Sequence, residues 1–516
     1  MNRRNFLRTG AALGIPVLAG APLSASLTNG LRSLVNPDSD RVLVLIQLNG
    51  GNDGLSTLVP VNQFDKLMRV RSNLMVPQNQ LLGIDGDLAF HPAAVGMQRI
   101  YQDGKMTAIQ GVAYPDQNRS HFRSTDIWTS ASDANELVTS GWIGRNFEYD
   151  NPGFPEGYPN EEAPHPFAIA MGSQVSQTCQ GIGTNFSMAV TDPFNLLTLA
   201  GGGNAPLPDN FYGDELSFLR TSIVQANAYG DVVQQIAERG QSTATYPDTR
   251  FARELKNVAQ LISGGLQTKV YVVSLGGFDT HANQVVGGNP ANGIYSDLLT
   301  TLSEGLAAFH QDIRALDLEN RVLSMTFSEF GRRIRSNQSM GSDHGTAAPL
   351  FLMGACVKAG ILGNNAEIGD AVTTDEGVAM QYDFRDIYGT VFQDWFELDP
   401  ERVRELLSHD YVHLPILGGC GATSTEDNSS PTNLEVRLWP NPTANNAQIR
   451  FAIPGGETVD LSISTSSGRL LKTIFKRKLA AGNHQFSLDI SSYPAGVYFV
   501  RLQSGATVTT QRMVKL

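Results

Sequence analysis

Cysteine is nearly absent from this sequence. Cys179, Cys356 and Cys420 are the whole supply in 516 residues, far apart and without a CxxC pair. That excludes a zinc finger or a disulfide-built scaffold and leaves room for one bridge. Positive charge is scarce too. Thirty-eight Lys and Arg stand against 50 Asp and Glu, a net of −12, so no basic field recommends nucleic acid as a partner. No stretch approaches the roughly 18 continuous apolar residues of a spanning helix, so the mature chain is read without a transmembrane segment. The glycines after the first apolar run do not form GxGxxG, which removes the dinucleotide-binding reading.

What is present is unevenly distributed. The length exceeds one compact core, so two or more domains are expected. From Leu434 onward ten Lys/Arg face four Asp/Glu, a net of +6, which leaves −18 for the rest. At the other end, "MNRRNFLRTGAALGIPVLAGAPLSA" sets Arg3, Arg4, Phe6 and Leu7 before a short apolar stretch and small residues. Residues 1–30 therefore read as an export signal and mature N-terminal tail. The RR-x-F-L core resembles the twin-arginine signal, which implies the twin-arginine export machinery as a partner, folded cargo and passage through the periplasm.

Continuous apolar runs follow: "VLVLIQL" (42–48), "MTAIQGV" (106–112), "KVYVVSL" (269–275), "RVLSMTF" (321–327) and "PLFLMG" (349–354). Such runs fit strands buried on both faces. Between the third and fourth, Leu298, Leu299, Leu302, Leu306, Phe309, Ile313 and Leu316 recur at helical spacing. Further helices are expected around 214–240 and 248–262, and surface loops, candidate lids, at 150–165 and 199–212. The expected fold is α/β over residues 40–417, a mostly parallel sheet flanked by helices. A polar linker occupies 418–433, and short alternating runs over 434–516 indicate a small C-terminal β-sandwich.

In an open parallel sheet, ligands bind beyond the carboxyl ends of the strands. The first strand ends in "NGGNDGL", offering Asn49 and Asp53. The second leads to "NRSHFRSTDIW", with Ser120 and His121. The third ends in "GGFDTH", with Asp279 and His281, and the fourth in "SEFGRR", with Glu329. "GSDHGTAAP" then adds Asp343 and His344. Each alone also reads as a turn, a cap or an ion-paired loop. Together, carboxylates and imidazoles without thiolate suit one or more divalent metal ions, zinc among the candidates. Bound metal would hold an oxyanion and lower the pKa of water to roughly 7. Ser120, opening a helix at its positive end, is the candidate nucleophile, with His121 beside it as a catalytic group.

The terminal module, with "WPNPT", "SGRLL", "AGNHQFSLDISSYPAGVYFVRL" and "MVKL", resembles the type A C-terminal sorting domain of type IX secretion cargo. The resemblance implies the type IX machinery as a partner and a secreted or cell-surface location. "NGGNDGLSTLVP", "NRSHFRSTDIW", "GGFDTHANQ", "SEFGRRIRSNQSMGSDHGTAAPLFLMG" and "DFRDIYGTV" together resemble the exported domain-of-unknown-function family fifteen-oh-one, related to the alkaline phosphatase and sulfatase superfamily. That resemblance implies a metal-dependent hydrolase of phosphate or sulfate esters. On it, Asp279 and His281 fall on an Asp/His ligand pair, here spaced Asp-x-His. Glu329 falls on a metal-binding carboxylate, and either His344 or the Asp343-His344 pair on the last ligands. A metal-bridging aspartate of the superfamily is matched by Asn49, with Asp53 as a substitute from the loop. An incomplete cluster would leave a surface protein that binds anions or glycans without catalysis.

Overall fold

The computed structural model describes residues 40–200 and 206–418. In the C-terminal region it describes 436–439, 443, 446–453, 458–465, 469–478, 482–504 and 507–515. The export signal, residues 199–212 in part, and the linker apart from Gly418 lie outside the described residues. The chain divides into two compact units between Cys420 and Gly421. Among the described residues no helix is long and apolar enough to cross a membrane.

The first unit is built on a nine-stranded sheet. Its strands are β1 (Val42–Asn49), β2 (Met106–Ala113), β3 (Ala168–Met171), β4 (Ser187–Val190), β5 (Val270–Gly276) and β6 (Val322–Phe327). A small hairpin of β7 (Arg332–Ser336) and β8 (Ser342–His344) precedes the sheet strand β9 (Ala348–Met353). The short β10 (Gly360–Leu362) and β11 (Tyr382–Asp383) complete the set. The sheet order is β10-β2-β9-β6-β1-β5-β3-β4, with β11 also paired to β2. Four helices matter for the site: α1 (His121–Ser130), α2 (Phe211–Arg239), α3 (Arg250–Ser263) and α4 (Ile294–Ala315).

The apolar runs are continuous because both faces of the sheet are covered. Along β1, Val42, Val44, Ile46 and Leu48 enter one core cluster, while Leu43 and Leu45 enter the other. Tyr271 and Val273 alternate in the same way with Val270 and Val272 on β5. A period of two thus sorts residues that are all apolar into two interiors. The expected helical stripe is α4, whose Leu299, Leu302, Leu306, Phe309 and Ile313 are buried.

One strand departs from the expected direction. β9 pairs antiparallel with both β2 and β6, whereas β1, β5 and β6 run parallel. Its start therefore lies at the edge where those strands end. The loop carrying Asp343 and His344, just before β9, is delivered to that same edge.

In the C-terminal unit, Val436–Trp439, Asn446–Ile453 and Gly482–Asp489 form one antiparallel sheet. Leu470–Lys478, Thr458–Thr465, Gly496–Ser504 and Thr507–Lys515 form another. Ile449, Phe451 and Leu488 from the first share a core with Leu461, Val500 and Met513 from the second. Two antiparallel sheets closing on one core make the sandwich that the alternating runs predict. Of the cysteines, Cys356 is disulfide-bonded and Cys179 is free and buried.

The connection from α2 to α3 is anchored by one carboxylate. Asp312 on α4 is fully buried and accepts from the Thr243 and Ala244 amides and from the Ser242, Thr243 and Tyr246 hydroxyls. Burial pushes its carboxyl up, but these donors more than offset that and hold it below the ordinary range. Asp312→Ala should cost about 2–4 kcal/mol in a urea melt at neutral pH. Because the folded-state pKa is depressed, this contribution is present above the ordinary carboxylate range. The gap between the two proteins should therefore narrow as pH falls through the folded value.

Candidate metal centre

Asp279 stands three residues beyond the end of β5, and its Oδ1 is the point on which the site converges. The Nε2 atoms of His281, His344 and His121 lie 3.1, 3.2 and 3.4 Å from it. Ligand atoms around a tetrahedral ion with bonds near 2.0–2.1 Å are about 3.3 Å apart. His281 Nε2 and His344 Nε2 are 2.8 Å apart. Ligand atoms of His121, Asp279 and His344 all fall within 4.8 Å of one another.

The far nitrogen of each ring fixes its tautomer. His121 Nδ1 donates to Glu329 Oε1 at 2.8 Å, and the same oxygen accepts the Gly50 amide at 2.7 Å. His281 Nδ1 donates to Asp343 Oδ1 at 2.9 Å, an oxygen that also accepts from Asn337 Nδ2. His344 Nδ1 donates to the Arg119 carbonyl at 2.8 Å. With Nδ1 donating in each ring, the neutral form of each presents a lone pair at Nε2. Three lone pairs thus crowd one carboxylate oxygen, and the buried His121 Nε2 has no hydrogen-bond partner. Burial pushes His344 down from the ordinary imidazole range, which favours its neutral form. The donor set therefore fits a divalent cation, and imidazoles backed by carboxylate or carbonyl are the usual partners of such an ion.

Arg332, at the start of β7, holds the frame. Its side chain is buried and donates to the Gly51 carbonyl at 2.9 Å, Ser342 carbonyl at 2.8 Å, Phe278 carbonyl at 3.0 Å and Asp279 Oδ1 at 2.6 Å, as well as to the Gly50 carbonyl. Burial raises the Asp279 carboxyl, but the Arg332 guanidinium outweighs it and holds the group below its ordinary value. Gly50 must be glycine: its φ is +119°, and a Cβ there would stand 2.2 Å from the Asp279 amide nitrogen. Phe330 supports the imidazoles from below, with ring centroids 4.9 Å from His121 and 4.7 Å from His344. Solvent reaches the centre from above: the Asp279 side chain is 46% exposed.

Six of the eight expected residues meet here, and His121, expected beside the nucleophile, faces Asp279 directly. Glu329 and Asp343, expected as ligands, stand behind His121 and His281 instead. Asp53 is carried elsewhere. Fully buried, it pairs with Arg71 and accepts from Ser56 Oγ and Gln284 Nε2, each at 2.7 Å. Burial pushes its carboxyl up, but Arg71, Ser56 and Gln284 hold it lowered. Gln284 also accepts from Thr280 and Ser342, so this network braces the loop that bears Asp279 and His281. Ser120 caps α1 with its side chain exposed and unused as a cap. Behind it Phe122 points outward, 87% exposed, and α1 turns Ser124, Ile127 and Trp128 inward. The sequence pattern places Arg332 with Glu329 at the end of the fourth strand without giving it a role, and it does not reach the Arg119 carbonyl. Nothing in the residue pattern marks a carbonyl as a partner.

Residues 229–407 match the family model described as Protein of unknown function (DUF1501), and residues 437–516 the Secretion system C-terminal sorting domain. The two matches fall on separate stretches, one in each compact unit. Asp279, His281, Glu329, Asp343 and His344 lie within the DUF1501 match, and His121 and Asp53 lie outside it. The sorting domain indicates export, with a secreted or cell-surface location. No curated protein matches the chain in sequence. Among solved structures, a sulfatase from Pseudoalteromonas sp. is similar at 8% identity, over 90% of this chain and 88% of that one, with a TM-score of 0.33. A protein in the alkaline phosphatase superfamily from Vibrio parahaemolyticus shares 8% identity over 84% and 82% of the two chains, TM-score 0.30. A phosphonate monoester hydrolase of Agrobacterium radiobacter shares 10% identity over 92% and 89%, TM-score 0.32.

Two substitutions separate ligand from frame. Glu329→Gln should weaken zinc binding by about 10–100-fold in a chelator competition titration, because it loosens His121. Arg332→Ala should cost about 3 kcal/mol or more in a denaturant melt, since four carbonyls lose their donor.

Proposed function

We propose that the protein is an exported metal-dependent hydrolase of phosphate or sulfate esters, working at Asp279, His121, His281 and His344 with one divalent cation. The observation that carries this reading is the set of three Nδ1-protonated imidazoles whose Nε2 lone pairs meet one carboxylate oxygen. Such an arrangement is electrostatically unfavourable without a cation. When bound, a cation supplies a Lewis acid for an ester oxygen and lowers the pKa of water. Zinc suits the nitrogen-rich donor set, with an open side toward solvent.

The chain's own groups have distinct tasks. Glu329, Asp343 and the Arg119 carbonyl keep the three rings in one tautomer. Arg332 shares Asp279 with the imidazoles, and its fixed charge on that flank favours one cation over two. Ser120, exposed at the positive end of α1 and next to His121, is the candidate nucleophile. A twin-arginine route would export the chain folded, with its metal already in place, before the type IX machinery takes it across the outer membrane.

A second reading is a surface protein that binds anions or glycans without turnover. Asn49 favours it: β1 ends in an amide where the superfamily resemblance calls for a bridging carboxylate, and Asp53 is committed to Arg71. Panels of aryl phosphates and aryl sulfates, assayed before and after chelation, separate the two. Hydrolysis should vanish on chelation, return with zinc or manganese, and fall at least about 100-fold in Ser120→Ala. Metal-loaded protein that hydrolyses no member of either panel would leave the binding reading.

A further inference from the structure

A second cleft opens along the same sheet edge. β3 and then β4 lie outward from β5, the strand that delivers Asp279. With neighbouring strands about 4.8 Å apart, their ends stand about 5 and 10 Å along the edge from that of β5. The loops after β3 and β4 face α3 across a cleft of about 630 Å³. Arg250 Nη2 reaches the Ser274 carbonyl of β5 at 3.4 Å, which ties the cleft wall to the Asp279 strand.

Arg250, Arg253 and Lys256 line this cleft together with Glu254. The two guanidiniums are only partly neutralised. The Arg253 side chain, 60% exposed, pairs with Asp248 at 2.5 Å, and Arg250 Nε stands 3.7 Å from Glu254 Oε1. Asp192 on the opposite wall spends its carboxylate on its own loop, accepting from the Phe194 amide at 3.0 Å and Asn195 Nδ2 at 2.7 Å. Glu254 is different. It is 6% exposed, and its Oε2 has no hydrogen-bond partner. Burial pushes its carboxyl up to about 7, against the opposing pull of Arg250 and Arg253. An orphaned buried carboxyl oxygen calls for a donor. A simple anion would satisfy the guanidiniums but leave Glu254 unserved. A ligand that combines anionic groups with hydroxyls, as acidic sugar units do, serves both.

We propose that this cleft is an accessory subsite that holds an acidic sugar unit of an oligosaccharide whose ester group lies at the Asp279 centre. The proposal deepens the hydrolase reading and rests on it for the position of the ester. Calorimetric titration of the mature protein with hexagalacturonate and with a heparin hexasaccharide tests it, with a single-stranded oligonucleotide as comparison. At least one saccharide should bind, and Arg250→Ala/Arg253→Ala should weaken it by about tenfold or more through loss of charge-assisted hydrogen bonds. Both side chains are largely exposed, so the double variant should melt like the parent. Glu254→Ala should weaken the same saccharide. Loss in the arginine variant with retention in chelated wild-type protein supports the subsite even where ester hydrolysis fails. Unchanged affinity in the double variant, preference for the oligonucleotide, or no binding of either saccharide overturns the proposal.

Discussion

One buried guanidinium holds the functional edge together. Arg332 gathers the carbonyls of Gly50 and Gly51 after β1, of Phe278 after β5 and of Ser342 in β8, and then the carboxylate of Asp279. These loops come from segments far apart in sequence. A planar fork with five donors can satisfy several acceptors at once, which an ammonium cannot do in the same geometry. Gly50 and Gly51 complete the arrangement by letting the backbone pass within contact of Asp279 and Phe330.

The charge balance at the centre follows from that frame. Arg332 keeps Asp279 ionised, and two carboxylates and a carbonyl keep three imidazoles protonated on the outer nitrogen. What remains inward is acceptor only, apart from the guanidinium. Asp53 and Arg71 form a similar buried pair one layer below, and Gln284 carries its effect to the loop of Asp279 and His281. The edge is thus built from polar networks linked through Gln284 and Thr280.

The sheet was readable from sequence because its strands are buried on both faces and so appear as unbroken apolar runs. The direction of β9 was not, since an apolar hexapeptide looks alike in either orientation. That direction matters: it returns the Asp343-His344 loop to the edge. The cluster was readable in part. Asp279, His281 and His344 stand beside glycines at strand ends, and local pattern leads to them. Local pattern cannot separate a carboxylate at the centre from one that stands behind an imidazole, so Glu329 and Asp343 read like Asp279. Asp53 reads like a ligand for the same reason, and only the burial of Arg71 beside it, 18 residues away, shows its other commitment.

The central claim is that Asp279 and imidazole nitrogens bind one divalent cation. X-ray absorption at the zinc edge, on mature protein loaded with one equivalent of zinc, tests this most directly. A four- or five-atom shell is expected, with nitrogen near 2.0–2.1 Å and the outer-shell scattering of several imidazoles. An all-oxygen shell without imidazole scattering, or protein that retains no zinc after desalting, would contradict it.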